Sequence, residues 1–205
     1  MSDEVAAVVL AAGGSQRLGY PKQLLRRDGE TLLRRAARLA GNSGAGRVLV
    51  ALGAQAPQLR LELHGLAVEV VEVPEWQQGL GASLARVQAE LSRARHRHVL
   101  VLGCDQPALA ATHLRHLLDA ARQATAGSAF SGYAGVRGLP AAIAWPSWSQ
   151  ARFAGDQGLR AMAREGPLRD SRQVDAPELA LDLDTPADVA AAISLGWLDS
   201  ADSPD

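Results

Sequence analysis

The stretch Leu10-Ala11-Ala12-Gly13-Gly14-Ser15-Gln16-Arg17-Leu18-Gly19-Tyr20-Pro21-Lys22 places three glycines, one arginine and one lysine directly after an apolar run. These residue types suit a phosphate. Gly13 and Gly14 let the backbone turn with its N–H groups free, and Gly19 permits a second close approach. Arg17 and Lys22 add two cations to a loop already rich in amide donors. Two familiar nucleotide loops do not fit. A dinucleotide fingerprint needs G-x-G-x-x-G and a helix where Pro21 stands. A P-loop needs lysine immediately after its second glycine and Ser or Thr next, whereas Tyr20 and Pro21 intervene here and Gln23 follows Lys22.

Two further segments offer carboxylates. Asp105 follows the apolar run 98–102 and precedes Gln106-Pro107, where proline ends sheet pairing. It is presented at the mouth of a sheet, or else caps a helix that starts near Ala110. Asp182 and Asp184 alternate with Leu181 and Leu183, so on a strand both carboxylates share one face. Directly before Thr185-Pro186, Asp184 reads equally as a helix N-cap. The segment Gly79-Leu80-Gly81-Ala82-Ser83 is small enough for a flat base to lie against its backbone, with the Ser83 hydroxyl free for the base or for a cap. A serine-hydrolase elbow fits badly, because G-x-S-x-G would need glycine at Ala85. His96, His98, His113 and His116 lack the Glu, Cys or third His of a zinc set and are expected on the surface or on helix faces. Cys104 has no C-x-x-C partner and reads as buried filler.

The elements that position these residues alternate along the chain. Strand-type runs are expected at 5–10, 47–52, 67–73, 98–102, 140–145 and 179–183, with helices at 31–39, 58–63, 82–94, 111–123, 158–164 and 186–195. That order implies an α/β fold, a mostly parallel sheet with helices on both faces and ligands beyond the carboxyl ends of its strands. Gly13 and Gly14 then follow the first strand, Asp105 the fourth and Asp184 the last.

At 205 residues the chain suits one well-buried domain, drawn at 1–198, with the polar 199–205 expected as a disordered tail. Lys and Arg total 21 against 22 Asp and Glu, and no basic run extends beyond 93–98, which argues against a nucleic-acid partner. The acidic start Met1-Ser2-Asp3-Glu4 and the lack of an apolar run of ~18 residues argue against a signal peptide and a membrane partner. With one cysteine, a cytoplasmic location is expected.

The loop from Leu10 to Lys22 resembles the signature L-A-A-G-x-S-x-R-M/L-G-x-x-K of nucleotidyltransferases with a Rossmann-like (GT-A-like) fold. It matches at Leu10, Ala11, Ala12, Gly13, Ser15, Arg17, Leu18, Gly19 and Lys22. Within that superfamily the chain is most similar to the molybdenum-cofactor cytidylyl- and guanylyltransferase branch. The likeness continues through Gly79 to Leu84, Gly103-Cys104-Asp105-Gln106-Pro107, Gly155-Asp156-Gln157-Gly158 and Asp182-Leu183-Asp184-Thr185-Pro186.

The resemblance implies transfer of a nucleoside monophosphate from a nucleoside triphosphate to a phosphorylated small-molecule acceptor, with release of pyrophosphate. It implies catalytic roles for Arg17, Lys22 and Asp105. Nucleotide contacts would come from Leu10, Ala11, Ala12, Gly13, Gly14, Ser15, Arg17 and Lys22, and base recognition from Gly79, Gly81 and Ser83. Mg²⁺ would sit on Asp105 and Asp184, with Asp184 preferred over Asp182, since oxygen ligands and substrate phosphates suit that ion. Guanylyl relatives carry Ala-Gly-Gly at the first turn; the extra methyl of Ala12 leaves less room for a purine and favours a pyrimidine, with CTP preferred although uridylyl relatives share Ala-Ala-Gly. Leu139 and Pro140 fall in the acceptor region, where molybdopterin-cytidylylating relatives show Gly-His-Pro and this chain reads Gly138-Leu139-Pro140. The acceptor stays open between molybdopterin, another phosphorylated small molecule and a sugar phosphate. A different class also stays open: a non-catalytic nucleotide- or cofactor-binding protein in transient contact with a molybdenum enzyme.

Overall fold

In the computed structural model, residues 4–155, 159 and 168–200 are described. Strand β1 (Val5–Ala11) is central, and nearly every residue in it is buried. Its side chains divide by parity, as a strand buried on both faces must. Val5, Ala7, Val9 and Ala11 join one core and Ala6 and Val8 the other.

Beyond the glycine turn lie a short hairpin, β2 (Arg26–Arg27) and β3 (Glu30–Thr31), and helix α1 (Leu32–Gly41), whose N-cap Thr31 accepts from the Arg34 N–H. Next come β4 (Arg47–Leu52), α2 (Ala56–Glu62), β5 (Glu69–Glu72), α3 (Leu80–Leu91), β6 (His98–Gly103) and α4 (Ala111–Gln123). The remainder comprises β7 (Ala129–Tyr133), β8 (Val136–Ala144), α5 (Trp145–Gln150), β9 (Arg172–Asp175) and α6 (Pro186–Ser194).

Seven strands form one sheet in the order β5-β4-β1-β6-β8-β7-β9, with β8 alone antiparallel to its neighbours. The expected α/β architecture, a mostly parallel sheet with helices on both faces, is thus what is found. Helices α1, α2 and α4 pack on one face and α3 and α5 on the other. Because the chain leaves β1 for β4 and later crosses to β6, the carboxyl ends of β1 and β6 form a crevice at the switch point. Register pairs Leu10 with Gly103, which sets the glycine turn beside Asp105.

Several expectations need correction. Residues 179–183 are not a strand: Pro177–Ala180 is a 3₁₀ turn, and the chain then runs on as irregular backbone, with the Leu183 N–H donating to Asp105 O. The alternation of Leu181 to Asp184 belongs to a segment docked on the sheet's edge of the site, not to a ladder. Strands β7 and β9 went unexpected, since Ala-Phe-Ser-Gly-Tyr is too small and mixed to read as a strand and Arg-Gln-Val-Asp is a polar sheet edge. Helix α5 likewise begins at Trp145, with Pro146 in its first turn, where a strand end was expected.

Asp199, assigned to a disordered tail, is held in place. Its carboxylate accepts from the backbone N–H groups of Asp28 and Gly29. The expected helix 158–164, all but Gly155 of the Gly155-Asp156-Gln157-Gly158 block, and residues 201–205 lie outside the described residues, Leu159 excepted. Among the described residues, no helix is long and apolar enough to cross a membrane.

Candidate functional site

The glycine turn takes its shape from polar contacts that the sequence reading passed over. Gln23 is 2% exposed, and its amide nitrogen donates to Ala11 O at 3.0 Å and Gly13 O at 2.8 Å. A buried donor stripped of such partners costs about 1–3 kcal/mol, so this one side chain holds the turn in register with β1. Ser15 occupies the left-handed region at φ 50°. Its carbonyl accepts from the N–H groups of Leu18 and Gly19, and its hydroxyl oxygen accepts from the Lys22 N–H at 3.2 Å. The loop therefore closes on itself and delivers Lys22 back to the sheet.

There the lysine meets both carboxylates singled out from the sequence. Lys22 Nζ lies 2.7 Å from Asp105 Oδ2 and 3.0 Å from Asp184 Oδ1, and Arg17 Nη2 reaches Asp184 Oδ2 at 2.7 Å. The side chains of Lys22, Asp105, Asp184 and Arg17 are 15, 28, 37 and 72% exposed, so the cluster grades from half-sheltered to open solvent. Burial alone would lower the Lys22 pKa, but Asp105 and then Asp184 outweigh it and raise the ammonium above its ordinary value. Burial opposes ionisation of Asp184, yet Lys22 and Arg17 prevail and hold its carboxyl below the usual range. Lys22 and Asp184 are therefore both charged at neutral pH.

Neither aspartate is a helix cap. Helix α4 starts after Ala110 without a side-chain cap, and α6 is capped by Thr185 in a reciprocal box with Asp188. Arg27 and Arg35 donate to the carbonyls of Pro107 and Leu109, which pins the loop after Asp105.

Beside Asp105 lies a pocket of about 270 Å³ lined by Leu10, Leu80, Leu84, Phe130, Leu139 and Leu159, with Asp105, Gln106, Tyr133 and Asp182 as its polar members. Asp182 therefore faces the pocket and Asp184 the lysine. Gln106 is the pocket's internal brace: its amide nitrogen donates to Leu139 O at 3.1 Å and Leu179 O at 3.0 Å, and the Tyr133 hydroxyl donates to the same Leu139 carbonyl at 2.9 Å. Pro140, expected at the acceptor, is buried, and its carbonyl accepts from the Ser131 hydroxyl. In the sequence, the two braces, Gln23 and Gln106, each directly follow a charged site residue; that adjacency was the signal available.

The segment from Gly79 to Ser83 serves packing more than expected. A Cβ on Gly81 would fall 2.6 Å from the Ala154 backbone, so its open face is already taken by the chain. Ser83, the fourth residue of α3, is buried and does not cap the helix, whose N-cap is Gly79. The Ala12 methyl is buried in the core with Val8 and Leu49, so it does not stand free to narrow a base site. Trp76, not anticipated, packs over the turn instead: a Cβ on Gly53 would lie 2.5 Å from the Trp76 side chain, and one on Gly14 3.0 Å from its ring.

Of the histidines, His113 lies on a face of α4 as expected, a buried one, whereas His96 is buried before β6, against expectation. The Ser131 hydroxyl donates to Pro140 O, so His113 Nε2–H is the donor to Ser131 Oγ at 2.8 Å, while His96 meets the Trp145 ring edge-on. Cys104 is buried as expected, and burial with the neighbouring Asp105 charge pushes its thiol up to about 12. Such a thiol is inert.

Comparison with known proteins agrees with this fold. Nicotine blue oxidoreductase of Paenarthrobacter nicotinovorans is 33% identical over 126 residues, 61% of each chain. A probable molybdenum cofactor guanylyltransferase of Opitutus terrae is 36% identical over 123 residues, 58% of this chain and 56% of that one. The matched regions thus fall short of two thirds of either relative's length. The crystal structure of Rv0371c from Mycobacterium tuberculosis superposes with a TM-score of 0.78 at 27% identity, covering 95% of this chain and 100% of that one. The model of the MobA-like NTP transferase domain matches residues 7–173, and with most of its length so matched the chain belongs to that family.

Proposed function

We propose that this chain transfers a nucleoside monophosphate, CMP from CTP, to a phosphorylated small-molecule acceptor and releases pyrophosphate. The observation that carries the reading is the convergence of Lys22, Asp105 and Asp184 beyond the glycine turn. Relatives named for a guanylyltransferase and for an oxidoreductase both match this chain, so family membership alone does not choose the chemistry. The charged cluster supports phosphoryl-group chemistry over redox chemistry. The choice of cytosine rests on the family pattern at the first turn.

The Gly13 and Gly14 amides, Arg17 and Lys22 would hold the triphosphate, where backbone donors and cations aimed at developing charge act most strongly. Two carboxylate oxygens already surround one cation, the Lys22 ammonium, so the donor set fits a hard divalent ion with oxygen ligands, Mg²⁺ on Asp105 and Asp184. When bound, that ion would supply charge neutralisation at the phosphates. A terminal phosphate on the acceptor is an oxyanion already, so no strong general base is required, and what remains is alignment. The Leu139 side of the pocket would receive the acceptor, within a cytoplasmic reaction on small molecules. A non-catalytic partner of a molybdenum enzyme would use the same fold without turnover.

Pyrophosphate release from CTP and Mg²⁺, measured with molybdopterin, sugar phosphates and other phosphorylated acceptors, tests the reading. Release with at least one acceptor is expected. Nucleotide binding with no release from any nucleoside triphosphate would replace it with the binding-protein alternative.

A further inference from the structure

We propose that Lys22 is a built-in occupant of the cation seat between Asp105 and Asp184, so that a divalent ion binds tightly only once a triphosphate draws the ammonium away. The proposal rests on reading these carboxylates as the metal-holding pair. Its basis is positional: Nζ lies 2.7 Å from one carboxylate oxygen and 3.0 Å from another. A divalent ion would need the same two oxygens at about 2.1 Å, too close to an ammonium of like charge for both to stay.

Sheltering decides how strongly the seat is held. With 15% of its side chain exposed, Lys22 is poorly screened by salt and gains little from turning to water. Arg17 is a contrast within the same cluster: 72% exposed and, among the described residues, hydrogen-bonded to Asp184 only, it can swing into solvent more freely. The phosphates that would lie on the Gly13–Gly14 turn offer the ammonium another anionic partner within reach of its own loop. Nucleotide and metal would then each favour the other, and such coupling is reciprocal by linkage.

The test titrates Mn²⁺ alone into the full chain without nucleotide, with free ion followed by electron paramagnetic resonance. Lys22→Met keeps the apolar stem and removes the ammonium; its Mn²⁺ affinity should rise at least ~10-fold, within the usual range of coupling between sites. Lys22→Gln should do the same and guards against a packing defect in either variant. Arg17→Met removes an equal charge and should change affinity less than about threefold. Adding Asp105→Asn or Asp184→Asn to Lys22→Met should abolish the gain.

Affinities of both Lys22 variants within about twofold of the parent would overturn the proposal, since less than half a kcal/mol would then separate them. An equal gain in Arg17→Met would overturn it too, by reducing the effect to net charge. A gain that survives loss of either aspartate would place the ion elsewhere. Because the readout is binding, the transfer reading stands or falls separately on pyrophosphate release.

Discussion

Two regions meet at Asp105 and are built on different terms. On the glycine-turn side, four charged side chains drawn from positions 17, 22, 105 and 184 contact one another directly. On the β7–β8 side, leucines and a phenylalanine close a pocket around carbonyls that Gln106 and Tyr133 hold in place. The first region owes its identity to residue chemistry, and on the proposed function it would fail without its cation or its carboxylates. The second owes its identity to shape, and many apolar sets would serve. If this division is real, the charged corner governs whether transfer occurs and the pocket governs to what.

The largest effect should come from Lys22→Ala, with turnover in the pyrophosphate assay lowered on the order of 10² or more for every acceptor and the circular dichroism spectrum unchanged. Turnover within about twofold of the parent would mean that less than a kcal/mol comes from this cation, and the corner would lose its distinction. Next, Asp184→Asn and Asp105→Asn should each raise the Mg²⁺ concentration for half-maximal activity by roughly 10-fold or more. A normal titration for Asp184→Asn would leave Asp105 as the only carboxylate ligand of the pair.

Leu139→His probes the other side. A polar group buried against leucine costs about 1–3 kcal/mol, so the ratio of kcat/KM for molybdopterin to that for a second acceptor should move about tenfold, with CTP affinity unchanged. Movement in CTP affinity instead would merge the two regions.

Smallest is a pH effect that touches only the pocket side. Burial lowers the pKa of His113, as it does that of His98, below the ordinary value. The unfolded chain, titrating near 6.5, then binds protons that the folded chain refuses, so stability is whole above about pH 7 and declines as pH falls through 6.5 toward the folded value. Replacing His113 with Gln should flatten the fall of the urea midpoint over that window.

The same contrast explains what could be read in advance. β1 was legible because its apolar run is continuous, and Lys22, Asp105 and Asp184 because few residue types can do their work. Expectations failed where packing decides. β7 is recognisable only once Gly132 is seen against the Gln173 side chain of β9. Gly81 invited a base reading and instead admits the Ala154 backbone. Gln23 and Gln106 left no signal beyond their adjacency to Lys22 and Asp105, because their partners are carbonyls, which every residue has. Trp76 lies 23 positions from Gly53, and no local pattern announces that their surfaces touch.

A third, small core deserves its own consequence. Leu18 of the glycine turn packs with Leu32, Leu183, Val189, Ala192 and Leu198, apart from the two large cores on the sheet. This clasp joins the loop bearing Arg17 and Lys22 to the segment bearing Asp184, and its few side chains make it cheaper to open than the sheet. One carboxylate of the pair therefore follows a strand of the large sheet, and the other lies beside this small core. Were the clasp to open, apparent affinity at the site would be the intrinsic affinity multiplied by the fraction of time it is shut. Substitutions at Val189 or Leu198 would then reach the site through that fraction.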